Sequence, residues 1–165
     1  DSDAEDPEHL AFHPPGSRME APDAIAFSPC GDLVCCATHG GHVRLISADK
    51  EVAVKRLGEP RWQKVRKVAF SPCGGRIIAL VETKRHRRQA GVTIGFGSRH
   101  NVSVSWRQHL ALIDATTLEV LDMKALTGEE ERESVRSMAL SPCGATVALG
   151  QTRGLLTIAN VGATG

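Results

Sequence analysis

The segment Cys35-Cys36-Ala37-Thr38-His39-Gly40-Gly41-His42 holds two thiols and two imidazoles at short spacing, side chains that zinc favours. A regular strand sends neighbouring residues to opposite faces, so Cys35 and Cys36 cannot both face one ion. Small buried thiols and turn histidines explain the segment better, and no metal or other cofactor is expected. Ser28, Ser71 and Ser141 recur in one tetrapeptide, but nothing places a base and an acid beside them as acyl transfer needs. Gly95-Phe96-Gly97 lacks the third glycine, the Lys-Ser/Thr tail and the following helix of a phosphate loop. No catalytic residue is therefore expected. The clearest chemical signal is charge. No acidic residue occurs between Glu82 and Asp114, a stretch holding Lys84, Arg85, His86, Arg87, Arg88, Arg99, His100, Arg107 and His109. Such a cluster suits an anionic partner: an acidic protein, a phosphoinositide headgroup or RNA. Nucleic acid is the least favoured, because only Phe96 and Trp106 offer stacking there. A solvated loop, or one folded against the acidic N-terminal segment, fits the same composition.

A repeat positions this cluster. Ser-Pro-Cys-Gly occurs at Ser28–Gly31, Ser71–Gly74 and Ser141–Gly144, each time behind an alternating apolar segment. Serine at the first place of a tight turn can bond its own backbone. Proline at the second fixes φ, and glycine at the fourth accepts a positive φ. Each copy therefore predicts a hairpin. The strands before it end in Phe27, Phe70 or Leu140, and those after it are Leu33–Thr38, Ile77–Thr83 and Thr146–Thr152. Further strands are expected at His42–Ser47, Glu51–Leu57, Leu110–Asp114, Leu118–Met123 and Leu155–Val161, with Ala48-Asp49-Lys50 and Ala115-Thr116-Thr117 as connections. The first two turns lie 43 residues apart and the next two 70. The second unit thus carries a basic insertion at about 84–107, between its second and third strands.

The 165 residues are 41% hydrophobic and 24% charged, with a net charge of +1. That balance excludes disorder throughout and a generally polyanion-seeking protein. Residues 1–23 hold seven acidic residues, one Arg and four Pro, and are expected to be a mostly disordered acidic leader. No apolar run can span a bilayer and no signal peptide is visible, and the first residue, Asp1, points to a longer parent chain. Five cysteines, an odd number, argue for reduced thiols in the cytoplasm or nucleus.

With Val65–Gly74, Val135–Gly144 and Ala24–Gly31 in view, the sequence resembles the WD-repeat β-propeller family, whose unit carries a Val-x-x-Val-Ala-Phe-Ser-Pro-Asp-Gly strand and turn. The family's Asp is Cys in all three turns. Its Trp-Asp pair is replaced by Ile46-Ser47, Ile113-Asp114 and Ala159-Asn160, and its Gly-His pair by Gly58-Glu59 and Gly128-Glu129. The resemblance implies an all-β, partial, open propeller of about three four-stranded antiparallel blades. These are residues 24–57, residues 65–126 with the insertion, and residues 135–161 as an incomplete third, with the remaining blades in the parent chain. It also implies a non-catalytic interaction scaffold that binds a protein or peptide through the loops opposite the Ser-Pro-Cys-Gly turns, and the basic insertion is compatible with an acidic partner. The candidate binding residues are Trp62, Arg85, His86, Arg87, Arg88, Arg99 and Trp106. The rival is a propeller-fold enzyme of the lactonase or hydrolase type, and anionic-ligand or cytoskeletal binding is a further alternative.

Overall fold

A computed structural model describes residues 20–47, 50–57, 63–88, 102–126 and 134–161. Three sheets are present among them. The first comprises β1 (Pro22–Phe27), β2 (Val34–Thr38), β3 (His42–Ser47) and β4 (Lys50–Arg56). The second comprises β5 (Gln63–Phe70), β6 (Arg76–Arg88), β7 (Val102–Asp114) and β8 (Val120–Ala125). The third comprises β9 (Val135–Leu140), β10 (Thr146–Gln151) and β11 (Leu156–Asn160). Each is an antiparallel meander in chain order, and none closes on itself. Strand β5 lies against both β1 and β9, so the first strands of the sheets are neighbours. The architecture is a partial, open β-propeller. No helix among the described residues is long and apolar enough to cross a membrane.

The three hairpin turns share one bonding pattern. The N–H of Gly31, Gly74 and Gly144 donates to the carbonyl of Ser28, Ser71 and Ser141 at 2.9, 2.8 and 2.9 Å. The serine hydroxyl accepts the N–H of Leu33, Arg76 or Thr146 at 3.0, 3.1 and 3.1 Å, fixing where the next strand begins. The glycines take φ of 82°, 74° and 74°, a region that a Cβ would strain.

Alternation then sorts the side chains into two cores. Cys35, Ala37, Val43 and Leu45 of the first sheet meet Val65, Val68, Phe70, Ile77 and Ala79 of the second. The other face of the second sheet, with Ile78, Leu80, Leu110 and Leu112, meets Val135, Val147 and Leu149 of the third. The second sheet is thus covered on both faces and the outer two on one each. Ile25, Phe27, Val52 and Val54 stay exposed on the first sheet, and Leu156 and Ile158 on the third.

Several expected boundaries shift. Strands β6 and β7 do not end at Thr83 and Leu110; they pair without a break from Arg76 opposite Asp114 to Arg88 opposite Val102. The two ends of the expected 84–107 insertion, residues 84–88 and 102–107, are therefore extensions of the blade, and residues 89–101 lie outside the described part. The β-favouring residues Val102, Val104 and Trp106 explain them, because a hairpin can continue on backbone bonds beyond its apolar face. Lys50 belongs to β4 rather than to the connection before it. The last residues of the expected 1–23 leader belong to the fold: β1 begins at Pro22, and Glu20 and Asp23 bond to side chains of the first blade. Residues 1–19 lie outside the described part.

If sheet stacking holds the fold, equivalent phenylalanines differ in cost. Phe70 is 9% exposed and Phe27 68%. In dilute solution Phe70→Ala should cost about 3–5 kcal/mol. Phe27→Ala should stay within about 0.5 kcal/mol. Denaturant unfolding of the two variants checks the difference.

Candidate functional site

The end of the sheets opposite the Ser-Pro-Cys-Gly turns carries a run of polar side chains that crosses all three blades. It begins at Glu20, whose carboxylate accepts from the Thr38 hydroxyl at 2.7 Å and lies 2.9 Å from His42 Nδ1. The Thr38 hydroxyl, and after it His42, hold the Glu20 carboxyl below its ordinary range against the opposing effect of burial. Asp23 on β1 lies 3.1 Å from His39 Nδ1 and 3.9 Å from Arg66 on β5. Arg66 Nε donates to Glu82 on β6 at 2.8 Å. The other oxygen of Glu82 accepts from the Gln108 amide on β7 at 3.0 Å. Gln108, 3% exposed, accepts in turn from the backbone N–H of Val135 at the start of β9, at 2.6 Å. A polar residue so deeply covered must find partners, and this one bonds to both neighbours at once.

Between the inner strands, a cleft of about 310 Å³ opens beside this run, lined by Asp23, Arg66, Lys67, Glu82, Ser134, Val135 and Arg136. Arg66 is bonded to the carboxylates. Lys67 and Arg136 are exposed, and among the described residues neither forms an ion pair. Farther along the second blade stands Trp106, 39% exposed. Lys64 Nζ sits 4.8 Å and Lys84 Nζ 6.0 Å from the centre of its ring, within reach of a cation–π attraction. Lys64 pairs with Glu82 in the ladder and Lys84 with Trp106, so the aromatic platform extends the same face away from the cleft.

Of the expected binding residues, Trp106 is placed on this face. Arg85, His86, Arg87 and Arg88 lie on the outer part of β6, opposite Ser105, Val104, Ser103 and Val102. Trp62 and Arg99 fall outside the described residues. Lys64, Arg66, Lys67, Gln108 and Arg136 had not been singled out. The signal for Gln108 was a polar residue opening an apolar run, Gln108-His109-Leu110-Ala111-Leu112, and that for the cations was Lys64-Val65-Arg66-Lys67 at the start of a strand.

The thiols divide as strand alternation requires. Cys35 faces the second sheet, and burial pushes its thiol up to about 12. Cys36 points the other way and is raised less, also by burial. Among the described residues no three His, Cys, Asp or Glu side chains are grouped to hold a metal ion. On the turn face, the Ser71 and Ser141 hydroxyls, each 3.3 Å from the following sulfur, hold Cys73 and Cys143 below the ordinary thiol range.

No family model matches the chain, and no curated protein matches its sequence. Among solved structures, it is similar to the β-propeller domain of Myceliophteria thermophila Cps50 (Swd1), with a TM-score of 0.57 and 16% identity. The likeness covers 88% of this chain and 40% of that one, so the chain spans well under half of the propeller it matches. It shows the fold.

Two outcomes test the polar run. Gln108→Met keeps the volume but leaves the Val135 N–H without its acceptor, and should cost about 1–3 kcal/mol in denaturant unfolding. The lowered Glu20 carboxyl stabilises the fold at neutral pH, and that contribution is lost as pH falls from about 4.5 through the lower folded value. Glu20→Gln should therefore flatten the loss of stability over that acid window, read from melting temperature against pH.

Proposed function

From three rigid blades whose loop end gathers cations around an exposed tryptophan, we propose a non-catalytic interaction scaffold that binds an acidic peptide segment of a protein partner. The observation that carries this reading is the grouping of Lys64 and Lys84 at Trp106, with Lys67 and Arg136 lining the cleft beside the polar run. The ring offers contact area, and the ammonium and guanidinium groups supply attraction for carboxylates. The sheets hold these groups in place beforehand, so little ordering entropy is lost on binding. The basic residues Arg85, His86, Arg87 and Arg88 continue the same strand outward and extend the proposed surface, to which the sequence adds Trp62 and Arg99 as candidates. The five free cysteines support a reducing compartment, the cytoplasm or nucleus.

The test is an array of acidic, neutral and basic peptides titrated by Trp fluorescence or calorimetry. Acidic peptides should bind, and more weakly as salt rises. Affinity should fall by about tenfold or more in Trp106→Ala and in Lys67→Glu/Arg136→Glu, roughly the loss of one well-placed contact. Cys143→Ser, on the opposite face, should leave it unchanged. Equal binding of basic peptides, or indifference to the charge reversals, would contradict the assignment.

A further inference from the structure

The second blade carries a sheet edge of its own. Strands β6 and β7 pair without a break out to Arg88 opposite Val102. Their companions stop short of that: β5 begins at Gln63, opposite Thr83, and β8 ends at Ala125, opposite His109. Residues 84–88 and 102–107 therefore form a two-stranded arm at the end away from the tight turns. The arm belongs to the middle of the stack, and the blades on both sides of it are present.

The backbone polarity of the arm follows from one bond. The Gln108 carbonyl accepts from the Leu126 N–H at 2.9 Å, so the backbone of Gln108 faces the β8 side. In an antiparallel ladder, successive residues turn their backbone groups to one neighbour and then the other. Trp106, Val104 and Val102 follow at every second position, and the register with β6 shows no shift along them. Each of the three thus directs an N–H and a C=O to the side where β8 has ended. Among the described residues no strand pairs with them there. Ser103, Ser105 and Arg107 turn theirs inward to β6.

Charge decides what can lie on this edge. The strand paired with it reads Lys84-Arg85-His86-Arg87-Arg88, and no acidic residue occurs between Glu82 and Asp114. Lys64 and Lys84, whose ammonium groups stand by the Trp106 ring, bring positive charge to the first of the three positions. Opposite charges on neighbouring strands stabilise a sheet and like charges destabilise it. The arm of a second copy is repelled, as charged edges commonly ensure, and an acidic segment is attracted.

We propose that the acidic peptide binds as an added strand along residues 102–106 of β7, its main chain paired with the outward groups of Val102, Val104 and Trp106. This rests on the acidic-peptide reading above and adds how the peptide lies. Main-chain bonds supply affinity, and the alternating side chains supply selection. An extended segment in which acidic residues alternate with β-formers such as valine fits such an edge.

The test titrates the whole chain with acetyl-Glu-Val-Glu-Val-Glu-Val-Glu-amide and with two derivatives, N-methylated at every Val or at every Glu. An added strand turns every second N–H to β7. Only one derivative should therefore lose affinity, by about tenfold or more, the worth of one or two hydrogen bonds. Val104→Pro removes an outward N–H and spares the ladder to β6. It should weaken the parent peptide by a similar factor, and Val104→Thr should leave it nearly unchanged, with melting temperature reporting the fold. Should the proline variant unfold, the two derivatives decide the question on the unaltered chain. Equal affinity of both derivatives, whether kept or lost, or full binding by a folded Val104→Pro, overturns the added strand and leaves the acidic-peptide reading in place. Failure of this peptide while other acidic peptides bind does the same, and failure of every acidic peptide overturns both.

Discussion

Every feature of this molecule depends on burying one apolar sheet face against the next. A four-stranded meander has two faces, and alternation here makes both apolar: Ile77, Ala79 and Val81 on one side of β6, Ile78 and Leu80 on the other. Such a strand is stable only between two neighbours, each well-buried aliphatic side chain contributing roughly 1.5–3 kcal/mol. The second blade obtains both neighbours and supplies most of the fully buried side chains. The outer blades obtain one each, which leaves Phe27 and Ile158 in solvent in the single chain. Stability in a stack of this kind is a sum over blades and the contacts between them.

The two ends of the stack solve different problems. At one end, the chain must reverse within a few residues, and the serine hydroxyl, proline and positive-φ glycine do so identically three times. At the other end, connections vary in length, and polar side chains tie the sheets together. There Glu82 and Gln108 carry the link from Arg66 to the backbone of Val135. The tight turn can be repeated because its geometry is local. The polar run cannot be repeated residue for residue, since each blade faces a different neighbour and a different connection. The proposed binding surface belongs to this variable end.

That difference explains what could be read from the sequence. Ser-Pro-Cys-Gly announces a turn through properties of the four residues themselves, and the apolar alternation before and after it gives the strands, the meanders and the stacking faces. The opposing placement of Cys35 and Cys36 followed from strand parity alone. The extension of β6 through Arg88 was not legible, because Lys84–Arg88 carry no apolar alternation and their pairing depends on Val102–Trp106 across the hairpin. The roles of Glu20 and Asp23 were hidden for a similar reason. In sequence they close an acid-rich segment, and only the fold brings His39, His42, Thr38 and Arg66 to them. Trp106 was visible as a rare aromatic in a basic stretch, but its companion Lys64 is 42 positions away.

The claim beneath all of this is that the three sheets are successive wedges around one axis, with their tight turns in order along one face. The exposed thiols Cys30, Cys73 and Cys143 mark those turns one per blade. With Cys35 and Cys36 replaced by alanine, spin labels placed on these thiols two at a time and read by pulsed electron resonance, at a concentration where the chain is monomeric, report the spacing directly. Successive wedges require similar separations for Cys30–Cys73 and Cys73–Cys143, both shorter than that for Cys30–Cys143. A Cys30–Cys143 separation equal to or shorter than either of the others would contradict the arrangement.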